Sequence, residues 1–389
     1  MLNQKLFCMW IGSLFALWLG SACVSLDGKK SERHTSVQPQ AGQKPDAPVV
    51  VKTPDVSVVS PAPQAAAATQ KVDDFEPGGP NHSFRSGAVW LDTNGTPINA
   101  HGGGLFYENG VYYWFGEHKA KDGDAHTGIH VYASKDLYNW HDRSIALEVD
   151  KQHAQSDIAE GCIMERPKVI FNAKTKKYVM WFHLELKGQG YGAARAGVAV
   201  SDKVIGPYTF HHSFRPNDAM SRDQTLFVDE DGTAYQFTAS EDNQTMHINQ
   251  LTDDYLRPNG TMRRIFIGRS SEAPAVFKYQ GRYHLIASGC TGWDPNSARQ
   301  AVADSVLGEW TELDNPAQGS KAYTTFDSQS TYVLEVQSQP GHFIYVGDRW
   351  NSQNLEDSRY IWLPLTMKGQ RAEINWVDEW DLSRFRAAP

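Results

Sequence analysis

The stretch Ser271-Glu272-Ala273-Pro274-Ala275-Val276-Phe277 decides the fold. A carboxylate stands immediately before a short apolar run. A turn follows, Tyr279-Gln280-Gly281, and then a second strand-like run from Arg282 to Ser288. The unit recurs. Glu165 heads RPKVIF and, after a turn, KYVMWFHLE. Asp223 heads QTLFV, then DEDGT and AYQFTAS. Gln329 heads STYVLEV, with a turn near Gly341 and then HFIYVGDRW. His101 heads GGGLFY, then ENG and VYYWFGE. Four positions after each leading polar residue comes an apolar one: Leu105, Val169, Phe227, Val276 and Val333. The copies begin about 50 residues apart, the period of a propeller blade rather than of a helical repeat. The expected fold is therefore all-β, a five-bladed β-propeller with each copy as an innermost strand.

In that arrangement the leading residues His101, Glu165, Asp223, Glu272 and Gln329 form one ring around a central funnel. Converging carboxylates, an amide and an imidazole are costly to bury unless they react or bind something. The second strands add Glu117, His183, Ser288 and Asp348 at similar depth.

Working outward, the blades are expected at about 98–149, 161–214, 221–267, 271–313 and 326–380. Turn residues separate alternating strands, and no long amphipathic helix interrupts them. SKDLYNW, DKVIGPYTF and DSVLGEWTEL read as one motif at the third-to-fourth strand turn of three blades. SGAVWL (86–91) lies outside the five units and is expected to complete the last blade and close the ring.

Ahead of the propeller domain (78–389) the chain changes character. Lys5 precedes an apolar run from Leu6 to Leu19, which is too short to span a bilayer comfortably and reads as a signal peptide over 1–22. It ends in LGSAC, which resembles a bacterial lipoprotein box with Cys23 as the lipidated residue; the alternative is ordinary signal cleavage near Ala22. Residues 23–77 are rich in Pro and Ala, cannot form a core, and read as a disordered tether. The expected location is extracytoplasmic, either membrane-anchored through the lipid or secreted.

A net charge of −8 argues against nucleic acid as a partner. Beyond Cys8 and Cys23 only Cys162 and Cys290 remain, in different blades, and they are expected to be unpaired. His101-Gly102-Gly103-Gly104 resembles an esterase oxyanion motif, but the G-x-S-x-G elbow it requires is missing. Gly188, Gly190 and Ala193 fit a dinucleotide pattern only loosely, without a βαβ unit. Asp229, Asp231 and Gly232 form a hairpin turn rather than an EF-hand. No metal site is expected from ligand spacing.

The segments NAHGGGLFYENGVYYWFGEHK, ERPKVIFN, SRDQTLFVDEDG, SEAPAVFK, SGCTGWDPN and FDSQSTYV, in this order, resemble glycoside hydrolase family 43. The resemblance is greatest to the branch containing exo-β-1,3-galactanases, and covers the chain from about Ser83 onward. It implies a five-bladed propeller and hydrolysis with inversion. It implies that Glu272 is the general acid and that Asp223 tunes and orients it. The blade-1 aspartate that serves most of the family as base is absent here, where Ala100-His101-Gly102 stands. In the galactanase-like branch a blade-5 glutamine handles the water, and Gln329 matches it. Glu165 matches a substrate-recognising glutamate, and Tyr191 and Thr291 fall near sugar-contacting positions.

Inverting hydrolysis needs an acid for the leaving oxygen and a group that holds water on the opposite face. Like-charge repulsion from Glu165 and Asp223 would keep Glu272 protonated near neutral pH. Gln329 could act through an imidic-acid tautomer or only position water, and the sequence leaves both open. Glu117, His183, Ser288, Asp348 and His101 are candidates for binding sugar hydroxyls, and Trp293 and Trp350 are candidate sugar platforms. The reading is a glycosidase acting from a chain end, with β-1,3-galactan as substrate. The alternatives are an arabinofuranosidase or galactofuranosidase, and an inactive carbohydrate-binding lipoprotein. No cofactor is required; a structural calcium in the central channel is compatible with the fold. The expected partner is a polysaccharide, and the expected state is a monomer.

Overall fold

Strands that are apolar on both faces need a packed neighbour on each side. The second strand of blade 1, Val111–Glu117, is buried along its whole length. Tyr113 and Phe115 pack toward blade 2, whereas Tyr112 and Trp114 pack toward blade 5. In blade 4, Ala275 and Phe277 face blade 5 while Val276 faces blade 3. Five hydrophobic clusters result, one between each pair of neighbouring blades. Each large side chain buried in them contributes about 1.5–3 kcal/mol.

The structure is a computed structural model and describes residues 75–386. The expected signal peptide, Cys23 and nearly all of the tether lie outside the described residues. Blade 1 comprises His101–Glu108, Val111–Glu117, Gly128–Ser134 and His141–Glu148. Blade 2 comprises Ile163–Asn172, Lys177–Glu185, Arg195–Ser201 and Thr209–Phe214. Blade 3 comprises Gln224–Val228, Ala234–Ser240, Thr245–Leu251 and Pro258–Ile265. Blade 4 comprises Ser271–Tyr279, Arg282–Gly289, Arg299–Ala303 and Trp310–Leu313. Blade 5 comprises Gln329–Glu335, Phe343–Arg349, Arg359–Lys368 and Arg371–Asn375. Within each blade these four strands form an antiparallel meander in sequence order. The fold is the expected five-bladed propeller.

Two details differ from the sequence reading. The segment 86–91 does not complete blade 5, which takes all its strands from the C-terminal part of the chain. Phe84–Arg85 pairs instead with Glu379–Trp380 as a separate two-stranded ladder. Phe84 anchors this closure, with its ring 4.5 Å from that of Trp380. Blade 5 also gains an unexpected outer strand, Ala317–Gln318, parallel to Arg371–Asn375. A two-residue strand carries no alternation for the sequence to display. Cys162 and Cys290 are not joined in a disulfide, as expected.

Candidate active site

The strand register sets the ring. Four leading residues lie directly across from the second-strand residues named above: His101 from Glu117, Glu165 from His183, Glu272 from Ser288, and Gln329 from Asp348. Just beyond the ring position the first strand carries one extra residue in blades 1, 2, 4 and 5. Such a bulge re-aims the side chains beside it. In three blades it places a residue in left-handed backbone: Gly102 (φ 57°), Arg166 (φ 55°) and Ala273 (φ 53°).

Regular alternation would turn Arg166 away from the face that Glu165 occupies. The bulge brings it to the same funnel. There its NH2 lies 2.9 Å from Asp223 Oδ2 and 2.5 Å from Gln329 Oε1, and its NH1 donates to Ser330 O at 3.1 Å. One guanidinium thus joins blades 2, 3 and 5. Lys119, equally buried, lies 2.7 Å from Glu117 Oε2 and 3.1 Å from Glu165 Oε1. Glu165 Oε1 also accepts from Tyr191 OH at 2.9 Å, and its Oε2 lies 3.1 Å from His183 Nδ1.

These partners separate the carboxyl groups electrostatically. Burial opposes ionisation of Glu165, but the Lys119 charge and the His183 hydrogen bond outweigh it and hold this carboxyl well below the usual range. His183 is pushed up to about 9: burial works against its charge, but hydrogen bonds to Glu165 and Glu185 overcome it. Glu117 is raised, first by burial and further by Glu165, against the pull of Lys119. Glu272 is pushed up to about 8, first by burial and then by the Asp223 charge. Its Oε1 accepts from Asn243 Nδ2 at 2.7 Å, and its Oε2 lies 3.5 Å from Gln329 Nε2. Glu272 is therefore a proton donor at neutral pH, in the same funnel as Glu165, which is held ionised.

A cavity of about 780 Å³ opens over this group. Glu117, Glu165, Tyr191, Asp223, Glu272, Gln329, Trp293 and Trp350 all line it. The two indoles meet edge to face at 5.1 Å, with Lys119 Nζ 5.5 Å from the Trp293 ring. Ser288 and three other expected site residues do not line this cavity. His101 is wholly buried, stacks on Tyr360 at 4.9 Å, and lies 3.4 Å from Asp348. Asp348 is buried too and accepts from the Gly102 N–H at 3.2 Å. Thr291 donates to Asp294 O at 2.6 Å and shapes the loop that carries Trp293. None of these lines this cavity, but Asp348 borders a smaller one that shares Gln329, Trp293 and Trp350 with it.

The glycine run has a steric reason. A Cβ at Gly102 would lie 2.0 Å from Glu117 Oε1, and one at Gly104 would lie 2.3 Å from the Lys168 side chain. The run makes room for Glu117 and Lys168 rather than forming an oxyanion hole. Lys168 is buried, donates to Gly102 O at 3.1 Å, and is pushed down to about 7 by burial and then by Arg166. A calcium ion placed beside Arg166 would meet a permanent like charge. Glu165, His183 and Asp223 come close enough together to suggest a metal triad. However, Lys119 already holds Glu165, Arg166 holds Asp223, and both His183 nitrogens face carboxylates. These residues do not fit a metal ion.

Lys119, Arg166 and Asn243 were not singled out from the sequence. Lys119 follows Glu117 by two positions in a strand-end run, a signal that was available. Arg166 and Asn243 depend on left-handed backbone, Asn243 at φ 64°, and no side-chain pattern displays it.

Residues 105–350 match the family described as Glycosyl hydrolases family 43. Comparison with curated proteins finds no match. Among solved structures, a β-1,3-galactosidase of this family in complex with galactodeoxynojirimycin is 48% identical, with a TM-score of 0.75 over 77% of this chain and 100% of that one. The exo-β-1,3-galactanase from Phanerochaete chrysosporium with β-1,3-galactotriose is 37% identical, with a TM-score of 0.72 over 77% of this chain and 68% of that one. The exo-β-1,3-galactanase from Clostridium thermocellum is 38% identical, with a TM-score of 0.70 over 76% of this chain and 66% of that one. A propeller whose funnel gathers Glu272, Asp223, Glu165 and Gln329 around one cavity, matched along most of its length in this way, belongs to glycoside hydrolase family 43.

Proposed function

We propose that the protein removes galactose from the end of β-1,3-galactan with inversion at the anomeric carbon. The observation that carries this is the pairing of Glu272, kept protonated by burial and by Asp223, with the amide of Gln329 beside it. Glu272 gives its proton to the leaving oxygen. Gln329 holds the water that attacks the opposite face, and no carboxylate is assigned as nucleophile. Glu165 and Tyr191 offer an ionised acceptor and a hydroxyl to sugar hydroxyl groups, and Trp293 and Trp350 offer ring faces. The relatives' named substrates support galactan over furanosides. The choice of a proton donor over an inert group at Glu272 favours hydrolysis over binding alone.

The sequence supports a further reading in the same proposal: export, lipidation at Cys23, and a tether that holds a monomeric propeller off the membrane. The test of function is incubation of the protein with β-1,3-galactan and, in parallel, with aryl furanosides, followed by product analysis. Release of galactose from galactan supports the proposal. Turnover of furanosides alone replaces it with the furanosidase reading, and binding without turnover replaces it with the binding reading.

A further inference from the structure

We infer that Arg222 is a positioning residue that ties the blade-2 loop carrying Tyr191 to the blade-3 loop that sets the acid; this rests on, and deepens, the hydrolytic reading above. Arg222 stands one place before Asp223 and is buried. Its backbone is fixed to the second strand of blade 3, where its N–H donates to Ala239 O at 2.9 Å. Its NH2 group donates twice, to Tyr191 O at 2.9 Å and to Asp242 Oδ1 at 3.1 Å. Both hydrogens of that nitrogen are thereby used on protein groups.

Neither loop is held by a regular strand ladder. The tip of the blade-2 loop carries left-handed Gly188 (φ 73°) and Gly190 (φ 56°). A Cβ at either would meet nothing within 4 Å. Yet this loop delivers the Tyr191 hydroxyl to Glu165 Oε1. The blade-3 loop holds three successive non-glycine residues in left-handed backbone: Glu241 (φ 53°), Asp242 (φ 54°) and Asn243 (φ 64°). Such a run is disfavoured and persists only where its surroundings fix it. Its last residue donates to Glu272 Oε1 at 2.7 Å and accepts from the Ser271 N–H at 3.0 Å. Asn243 therefore grips both the acid and the residue before it.

A string of alternating charges runs into the same guanidinium. Lys119 lies 3.1 Å from Glu165, Glu165 3.1 Å from His183, and His183 2.9 Å from Glu185. Arg222 Nε lies 4.0 Å from Glu185 Oε1, and Asp242 ends the string at the surface. Glu185 is wholly buried, and its other oxygen accepts from the Ala194 N–H at 2.7 Å, which pins the end of the blade-2 loop. In a buried network each group depends on its neighbours for its place. Loss of Arg222 should thus release Tyr191 on the sugar side and Asn243 on the acid side together.

Two measurements test this. The first is hydrogen exchange read by mass spectrometry. Arg222→Ala should speed exchange in both 187–193 and 241–245 while the other blades keep the parent's rates. Arg215→Ala removes hydrogen bonds to Gly192 O and Ala193 O and should loosen the first segment alone. Faster exchange in only one segment of Arg222→Ala, or an equal rise across all blades, overturns the inference. The second is kinetic. Arg222→Ala should raise KM and lower kcat on galactan by about 10²-fold, with a smaller loss on an aryl β-galactoside that leaves unprotonated. Asp242 is exposed, so Asp242→Ala should fold normally and lower kcat on galactan with KM unchanged. Arg222→Lys should recover part of the Arg222→Ala loss. Parent values of kcat and KM in Arg222→Ala, or equal losses on the two substrates, overturn the inference. If the parent hydrolyses neither substrate, the hydrolytic reading fails, while the exchange data still decide whether Arg222 ties the loops.

Discussion

Asp223 acts on Glu272 twice. Its charge lies near the Glu272 carboxyl, and its Oδ2 accepts from the Ala273 N–H, one residue beyond Glu272, at 3.1 Å. It therefore raises the acid's pKa and also fixes the bulge from which the acid projects.

The pH profile should reveal the first role. Glu272 must be protonated to act, so activity should fall as pH rises through about 8. Asp223→Asn keeps the size and most of the acceptor geometry but removes the like charge. Its basic limb should move to lower pH, with kcat reduced. An unmoved limb would show that burial alone sets the acid's pKa.

Glu272→Gln should separate acid from water positioning. On galactan, whose leaving alkoxide is poor, the loss should be on the order of 10²–10⁴-fold or more. On an aryl β-galactoside with an acidic phenol most of that loss should be recovered, because the phenol leaves unprotonated. Gln329→Ala should slow both substrates by similar factors. Equal impairment of Glu272→Gln on both would remove Glu272 as the acid.

The buried charge network carries stability. Lys119→Met leaves Glu117 and Glu165 facing each other without their cation. Breaking such a network should cost about 3–5 kcal/mol in chemical denaturation and raise KM by releasing Glu165. A cost below about 1 kcal/mol would mean that the two carboxyls share a proton readily and that Lys119 is dispensable. Gly102→Ala tests the glycine run. It combines a left-handed penalty of about 1 kcal/mol with a clash against Glu117, so stability should drop and KM should rise together.

The blades and most of the ring were legible in the sequence because period-2 burial and a repeated polar residue at each strand start leave a direct trace. Glu165, Asp223, Glu272 and Gln329 followed from that register alone. Arg166 was not legible: one inserted residue and a positive φ reverse its side, and neither appears in side-chain pattern. His101 looked like a ring member by the same repeat. In the structure it is packed on Tyr360, inside the wall. The closing ladder at Phe84–Arg85 was misplaced toward 86–91 because two-residue strands carry no alternation.

The N-terminal reading has its own test. A chain beginning at Asp74 should match the full chain in kcat/KM, and Cys23→Ala should leave the protein in the soluble fraction of its host. A large fall in kcat/KM would show that the tether contributes to the site, and persistent membrane association would exclude lipid anchoring at Cys23.

The most direct test of the whole account is proton NMR of the first sugar released from β-1,3-galactan. The account predicts galactose appearing first as the α anomer and equilibrating later, from an enzyme acting at the chain end. First appearance of the β anomer would contradict it and would require a covalent intermediate on one of the ring carboxylates.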